Sequence, residues 1–325
     1  MPPLARPHHR DLLTLPARTA EVVADPDVLV VGGGPAGLGA ALGAAGAGAE
    51  VVLAERYGFL GGNATAALVM PLMSSFTQRG RPMHIDLSRL LPQDHGPGEP
   101  VVAGAFRQFL RRLVDAGGAI VPSEQTGFVV PFDPEVFKLV ALDVLDEAGV
   151  KFLLHAFATD VIGNHSPEGI VFATKSGPLV VKARVVVDCT GDGDIAARAG
   201  AAFEVGRESD ELVQPMTLMF RMVEFERSAF AAYAKAHPDQ WRGVHGLWDL
   251  IAKARADGEL DLPREDVLFF GTPREHELSV NSTRVTGVLG TDVWDLTYAE
   301  WQSRRQMRQI ASFLRRYVPG FEHAY

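Results

Sequence analysis

The sequence predicts an α/β fold: a parallel sheet, an inserted antiparallel meander and a second, α+β unit laid over them. Three observations predict it. Residues 27–55, DVLVVGGGPAGLGAALGAAGAGAEVVLAE, read as a buried strand, a glycine turn, a small-residue helix and a second buried strand. Residues 184–188, RVVVD, form another short apolar run suited to a sheet covered on both faces. Between these segments, Phe157 to Gly163, Gly169 to Lys175 and Leu179 to Ala183 read as three strands, with turn signals at Asn164 to Glu168 and Ser176 to Pro178.

The first segment carries the most chemistry. Val28 to Val31 suit a parallel strand, and Gly32, Gly34 and Gly37 then spell G-x-G-x-x-G. The first glycine permits a tight turn. The second lets a pyrophosphate approach the backbone, and the third lets helix and strand pack closely. The helix opening near Pro35 aims free N–H groups and a partial positive charge at that phosphate site. Val51 to Ala54 form the next strand, and Glu55 at its end is placed to accept hydrogen bonds from ribose hydroxyls. The segment is a dinucleotide cradle.

Composition narrows the class. A chain of 325 residues with 47% apolar and 22% charged residues supports a sizeable core and two structural units. A net charge of −9 argues against nucleic acid as the main partner, because phosphate backbones need clustered Lys and Arg. No apolar run approaches the ~20 residues of a membrane span. Residues 1–26 are expected to be an extended tail. Arg6, Arg10, Asp11, Arg18 and Glu21 interrupt any signal-peptide core, and the cytoplasm is the expected location. The one cysteine, Cys189, leaves no internal disulfide and no iron–sulfur cluster held by this chain alone. No metal site is expected, since His, Cys, Asp and Glu nowhere show ligand spacing.

After Glu55 come Arg56, Gly58, Gly61, Gly62, Asn63 and Thr65. A second glycine pair so close to the acidic residue is either an ordinary loop turn or clearance for a cofactor longer than a nicotinamide dinucleotide. The run from Asp27 to Thr65 resembles the FAD-dependent oxidoreductase family in which a GGGPAG turn precedes an ER-x-G-x-x-GG-x-x-T segment. That family includes relatives of the heterodisulfide reductase flavin subunit. The resemblance implies a Rossmann-like, glutathione-reductase-type FAD-binding domain over residues 27–200. It implies that Gly32, Gly34, Pro35, Ala36 and Gly37 face the pyrophosphate and that Glu55 binds the adenosine ribose. It also implies that Arg56, Gly61, Gly62, Asn63 and Thr65 lie along FAD toward the flavin.

Further along, residues 78–100 read as a long loop or flap containing His84 and His95. Helices are expected over residues 105–116 and after Asp133, which caps, with Pro134 in the first turn and Gly149 as the stop. Lys151 to Leu154 complete the parallel set. The strand 184–188 runs into Cys189-Thr190-Gly191-Asp192-Gly193-Asp194, which resembles the family's DATGDGD segment. Thr190 and Gly191 are thereby expected at the dinucleotide. Asp192 either bonds the ribityl chain or a phosphate-bound water, or caps the next helix. Cys189 reads as a small buried residue rather than a redox thiol.

Residues 201–296 are expected to form a substrate domain. Strands are predicted over 201–206, 212–223, 267–270 and 277–285, and helices over 228–236 and 247–257. Gln214, Thr217, Asn281, Thr283 and Arg284 are polar residues in apolar strands, so each needs a partner, either ligand or backbone. Thr297 and Glu300 read as a capping box opening a last helix to about Tyr317, which returns toward the FAD domain over residues 297–325. Compared with the family pattern, the chain stops before the segments that would complete the site around the flavin.

The function expected is hydride transfer between a small-molecule substrate and FAD, with an electron acceptor to be supplied. Arg284 is a candidate to orient an anionic or carbonyl substrate and His276 a candidate for proton transfer. The alternatives are a flavin electron-transfer subunit working with an iron–sulfur protein partner, and a truncated, inactive flavoprotein-like binding module.

Overall fold

The computed structural model describes residues 3–4, 6–7, 11–75, 90–91, 99–123, 126, 129–163 and 166–325. Most of the expected flap, including His84 and His95, lies outside the described residues.

The parallel sheet forms as the apolar runs dictate. Its strands are β2 (Val28–Val31), β3 (Val51–Ala54), β4 (Lys151–Leu153) and β8 (Val185–Asp188), in the order β4-β3-β2-β8. Val28 pairs with both Val51 and Val185, and Val31 with both Ala54 and Asp188. This flush register brings the carboxyl ends of three strands, and the residues that follow them, to one edge. Open α/β sheets bind ligands at that edge.

Helices α1 (Pro35–Gly46), α2 (Ala105–Asp115) and α3 (Pro134–Glu147) cover one face, with Leu38, Ala41, Leu113, Phe137 and Leu145 packed on Val30 and Leu53. Asp133 caps α3 as expected, accepting the Glu135 and Val136 N–H groups. The other face packs Leu29, Val31 and Val52 on Ile170, Phe172 and Val181 of the meander β5 (Phe157–Ile162), β6 (Gly169–Thr174) and β7 (Gly177–Lys182). The expected tail supplies one more strand. Residues Glu21–Ala24 form β1, parallel to β7. Its side chains are mostly exposed, so no hydrophobic period announces it; the open edge of β7 makes it a strand.

A short helix, α4 (Asp194–Arg198), follows β8. The second unit is an antiparallel sheet in the order β10-β11-β12-β13-β9: β10 (Trp241–Arg242), β11 (His245–Gly246), β12 (Val267–Gly271), β13 (Glu277–Val280) and β9 (Phe220–Val223). Helices α5 (Arg227–Ala236), α6 (Trp248–Ala256) and α7 (Val293–Tyr317) close its core around Phe225, Phe230, Phe269, Ile310 and Phe313. Three expectations fail here: the strand expected over 277–285 ends at Val280, and two others do not form as expected. Residues 201–206 are exposed and form no strand, and of 212–223 only Phe220–Val223 joins the sheet, beyond a single bridge from Met216 to Val285. Pro215 offers no N–H to a ladder and Glu211 holds a positive φ of 58°, so the segment cannot run straight as one strand.

The last helix also starts differently. Asp292 is its N-cap, accepting from Trp294 and Asp295 N–H. Thr297 lies a turn inside and donates its hydroxyl to the Val293 carbonyl at 2.6 Å. It caps nothing.

The two units share contacts. Met219, just before β9, and Phe270 of β12 enter the first unit's core. Arg274 closes a fork on Asp133, with Nε and a terminal nitrogen at 3.0 and 2.5 Å.

The candidate cofactor and substrate cleft

A cleft of about 1090 Å³ opens along the carboxyl edge of the parallel sheet. Its first wall is the glycine turn. Gly32 has φ +105°, and a Cβ there would sit 2.2 Å from the Cys189 carbonyl oxygen. A Cβ on Gly37 would sit 1.8 Å from the Gly32 carbonyl oxygen, so α1 begins directly against the turn. Gly34 is the N-cap of α1 and offers no side chain, and Pro35 takes the first position. First-turn N–H groups have no partner within their own helix, and here no side chain covers them. Gly32, Gly34, Pro35 and Ala36 line the cleft; Gly37 sits behind them.

Glu55 is 5% exposed and lines the same cleft. Its two oxygens accept the Gly33 and Tyr57 N–H groups at 2.6 and 2.8 Å. The carboxylate thus clips the glycine turn to the end of β3 and keeps further lone pairs for a ligand. Arg56 and Tyr57 continue this end of the cleft, the guanidinium lying 4.9 Å from the Tyr57 ring centre.

The glycine pair is explained by the chain itself. A Cβ on Gly61 would meet the Thr65 side chain at 2.4 Å, and one on Gly62 would lie 2.8 Å from the Gly34 Cα; both φ values are positive. The pair lets this loop turn tightly and nest against the first glycine turn. Gly62 and Asn63 line the cleft. Gly61 and Thr65 do not: Thr65 is buried and donates its hydroxyl to the Leu60 carbonyl at 2.8 Å.

Thr190, Gly191 and Asp192 also line the cleft. The capping role open to Asp192 falls to Asp188. Its carboxylate accepts from Thr190 N, Thr190 Oγ1, Ile195 N and Ala196 N at 3.0, 2.7, 2.9 and 2.8 Å. Burial pushes this carboxyl up, but these bonds outweigh it and hold it below the usual carboxylate range. Burial, and then the Asp188 charge, push the Cys189 thiol up, which disfavours a reactive thiolate.

The facing wall comes from the second unit, through Met216 to Arg221 and through Leu296, Ala299, Glu300, Ser303 and Arg304 of α7. Of the expected substrate residues only Thr217 lies here. Thr283 is buried, and its hydroxyl bonds Leu218 N and O at 2.7 and 3.0 Å, so backbone is its partner. Thr217 donates to the Thr283 carbonyl at 3.2 Å. Gln214 and Asn281 are outside the cleft lining. So is Arg284: it is exposed, and its backbone is held by the Gln306 amide at 2.7 and 2.9 Å. His276 is exposed too, 3.4 Å from the Phe225 carbonyl and away from the cleft. Arg284 and His276 are therefore not brought to the site. Sequence reasoning missed Arg221, Glu300, Ser303 and Arg304. The helical spacing of the last three was a usable signal; a single Arg inside FRMV was not.

A family model described as FAD dependent oxidoreductase matches residues 27–325. The chain belongs to that family. FAD is the cofactor of these FAD dependent oxidoreductases, and the cleft fits it: uncapped helix N–H groups suit its pyrophosphate, and Glu55 suits a ribose. Two solved structures are similar to this family member. One is a geranylgeranyl bacteriochlorophyll reductase-like protein from Thermoplasma acidophilum, 15% identical, with a TM-score of 0.50 over 93% of this chain and 64% of that one. The other is p-nitrophenol 4-monooxygenase from Pseudomonas putida, 13% identical, with a TM-score of 0.49 over 94% of this chain and 66% of that one. At 15% identity the likeness to the first shows the fold alone. The chain spans just under two-thirds of either structure's length. No curated protein matches it. Among the described residues, no cluster of His, Cys, Asp or Glu could hold a metal, and no helix is long and apolar enough to cross a membrane.

Proposed function

We propose that this FAD dependent oxidoreductase moves a hydride equivalent between FAD and a small-molecule substrate seated against the second unit's wall. One observation carries the reading: a single cleft joins the dinucleotide cradle of Gly32 to Ala36 and Glu55 to a separate wall built by β9, its approach and α7. The first wall has the chemistry to hold a dinucleotide. The second has room and polar groups to hold what reacts with it. FAD, when bound, supplies the redox chemistry. The chain's own residues supply position. The first-turn N–H groups of α1 would take phosphate oxygens, Glu55 would take a ribose hydroxyl, and the Thr190 to Asp192 loop would add contacts from the same cleft. Apolar Met216, Leu218 and Met219 line the second wall and would help exclude water there. Turnover requires a second reactant that takes up the electrons.

Titration of purified, flavin-free protein with FAD tests the reading. FAD is expected to bind, and Glu55→Ala is expected to weaken it by on the order of tenfold or more, the equivalent of about 1.4 kcal/mol. Anaerobic bleaching of bound flavin by a small-molecule donor identifies the substrate. Protein that takes up no FAD, or a Glu55→Ala variant with unchanged affinity, sinks the assignment.

A further inference from the structure

Resting on that reading, we infer that the substrate of this cleft carries an anionic group, of the carboxylate type, on an apolar body. Arg221 receives the anion and Glu277 positions Arg221.

Three arginines line the cleft. Arg56 belongs to the Glu55 end, over the Tyr57 ring. Arg304 pairs with Glu300 one helical turn away at 3.1 Å, and both side chains are more than 60% exposed, at 63% and 62%. Such a pair is solvated and holds neither group in a fixed place. Arg221 differs in both respects. Its side chain is 29% exposed, and it faces Glu277, whose side chain is 9% exposed, at 3.4 Å. Among the described residues Glu277 is its one ion-pair partner.

The ladder explains the arrangement. Arg221 in β9 lies directly opposite Ser279 in β13 and diagonal to Glu277, so all three share one face of the sheet. The Ser279 hydroxyl is fully buried and makes no hydrogen bond. It therefore gives Glu277 no support; Arg221 is its ion-pair partner, and the Arg274 charge also acts on it. A guanidinium has five N–H donors in a planar fork. One terminal nitrogen meets Glu277 at 3.4 Å, which leaves further N–H donors for a ligand of the cleft that Arg221 lines. A carboxylate can take two parallel N–H bonds from such an edge.

The position suits a substrate rather than the cofactor's phosphates. Glu55 touches Gly33, Gly33 belongs to the turn, and the turn abuts Cys189. Beyond it, a Cβ on Gly290 would lie 3.5 Å from Asp192 and 3.9 Å from Met216, which marks where the cradle gives way to the second unit's wall. Arg221 belongs to the same stretch of chain as Met216, Leu218 and Met219, which lines that second wall. These apolar neighbours select the body of the ligand, and Arg221 selects its charge.

Benzoate and its neutral amide, benzamide, are suitable probes, read by perturbation of the flavin spectrum in FAD-loaded protein and by calorimetry with or without flavin. Benzoate is expected to bind more tightly than benzamide. Arg221→Gln is expected to weaken benzoate by on the order of tenfold, with benzamide and FAD affinities unchanged. Arg221→Lys should recover part of the loss, which a purely structural role would not produce. Glu277→Gln should weaken benzoate less than Arg221→Gln does. Equal binding of the two probes, or unchanged benzoate affinity in Arg221→Gln, overturns the inference. So does a parallel loss of FAD affinity, which would assign Arg221 to the cofactor. Failure of FAD to bind leaves the calorimetric comparison intact and counts against the proposed function instead.

Discussion

Asp188 ends β8 and holds a loop that lines the cleft. Replacing it with alanine removes the acceptor of four hydrogen bonds, from Thr190 N, Thr190 Oγ1, Ile195 N and Ala196 N. Hydrogen bonds to a charged group contribute ~1.5–3 kcal/mol each. Asp188 is only half-buried, so water takes over part of the loss. We take about 3 kcal/mol as the net destabilisation, equivalent to one or two such bonds. Unfolding entropy of ~2.1 cal/mol/K per residue gives ~0.7 kcal/mol/K for 325 residues, and hence a melting-point drop of about 4 °C. Circular dichroism melts at neutral pH measure it. The pH dependence supplies a second check. The folded-state pKa is lowered, because hydrogen bonding outweighs burial. The stabilisation is therefore complete above the unfolded Asp value of about 3.9 and is lost as pH falls through the folded value. The gap between wild type and Asp188→Asn should narrow on acidification. An Asp188→Ala melting point indistinguishable from wild type, or a gap that widens in acid, would refute the account.

Two further substitutions separate structural roles that look alike on paper. Asp292→Ala should cost about 1 kcal/mol through loss of the α7 cap, whereas Thr297→Ala should stay within about 0.5 kcal/mol; chemical denaturation of both variants measures the contrast. Gly37→Ala places a Cβ 1.8 Å from the Gly32 carbonyl oxygen, so it should both lower the melting point and weaken FAD in the same titration used for Glu55. A Gly37→Ala protein with wild-type FAD affinity would mean that the turn can open without consequence.

The sequence by itself determined the cradle. Apolar runs of four residues, a glycine turn and a helix opened by proline are local signals, and the expected strands of the parallel sheet and meander form within two residues of where those signals put them. The steric need at Gly37 is equally local, since its Cβ would meet the carbonyl oxygen of Gly32 in the same turn, whereas Gly32 is crowded by the distant Cys189. The tertiary structure decided what depends on distant neighbours. β1 exists only because β7 offers an edge, and Asp292 outcompetes Thr297 because its carboxylate meets two free N–H groups. The Gly61-Gly62 pair is required by Gly34 and Thr65 packed against it. The far wall of the cleft is the clearest case. The linear sequence singles out Arg284 and not Arg221, yet Arg284 ends at the surface while Arg221 pairs with a buried Glu277 and lines the cleft. A strand's alternation says which side a residue faces, but only the packing of one sheet against another says what lies on that side.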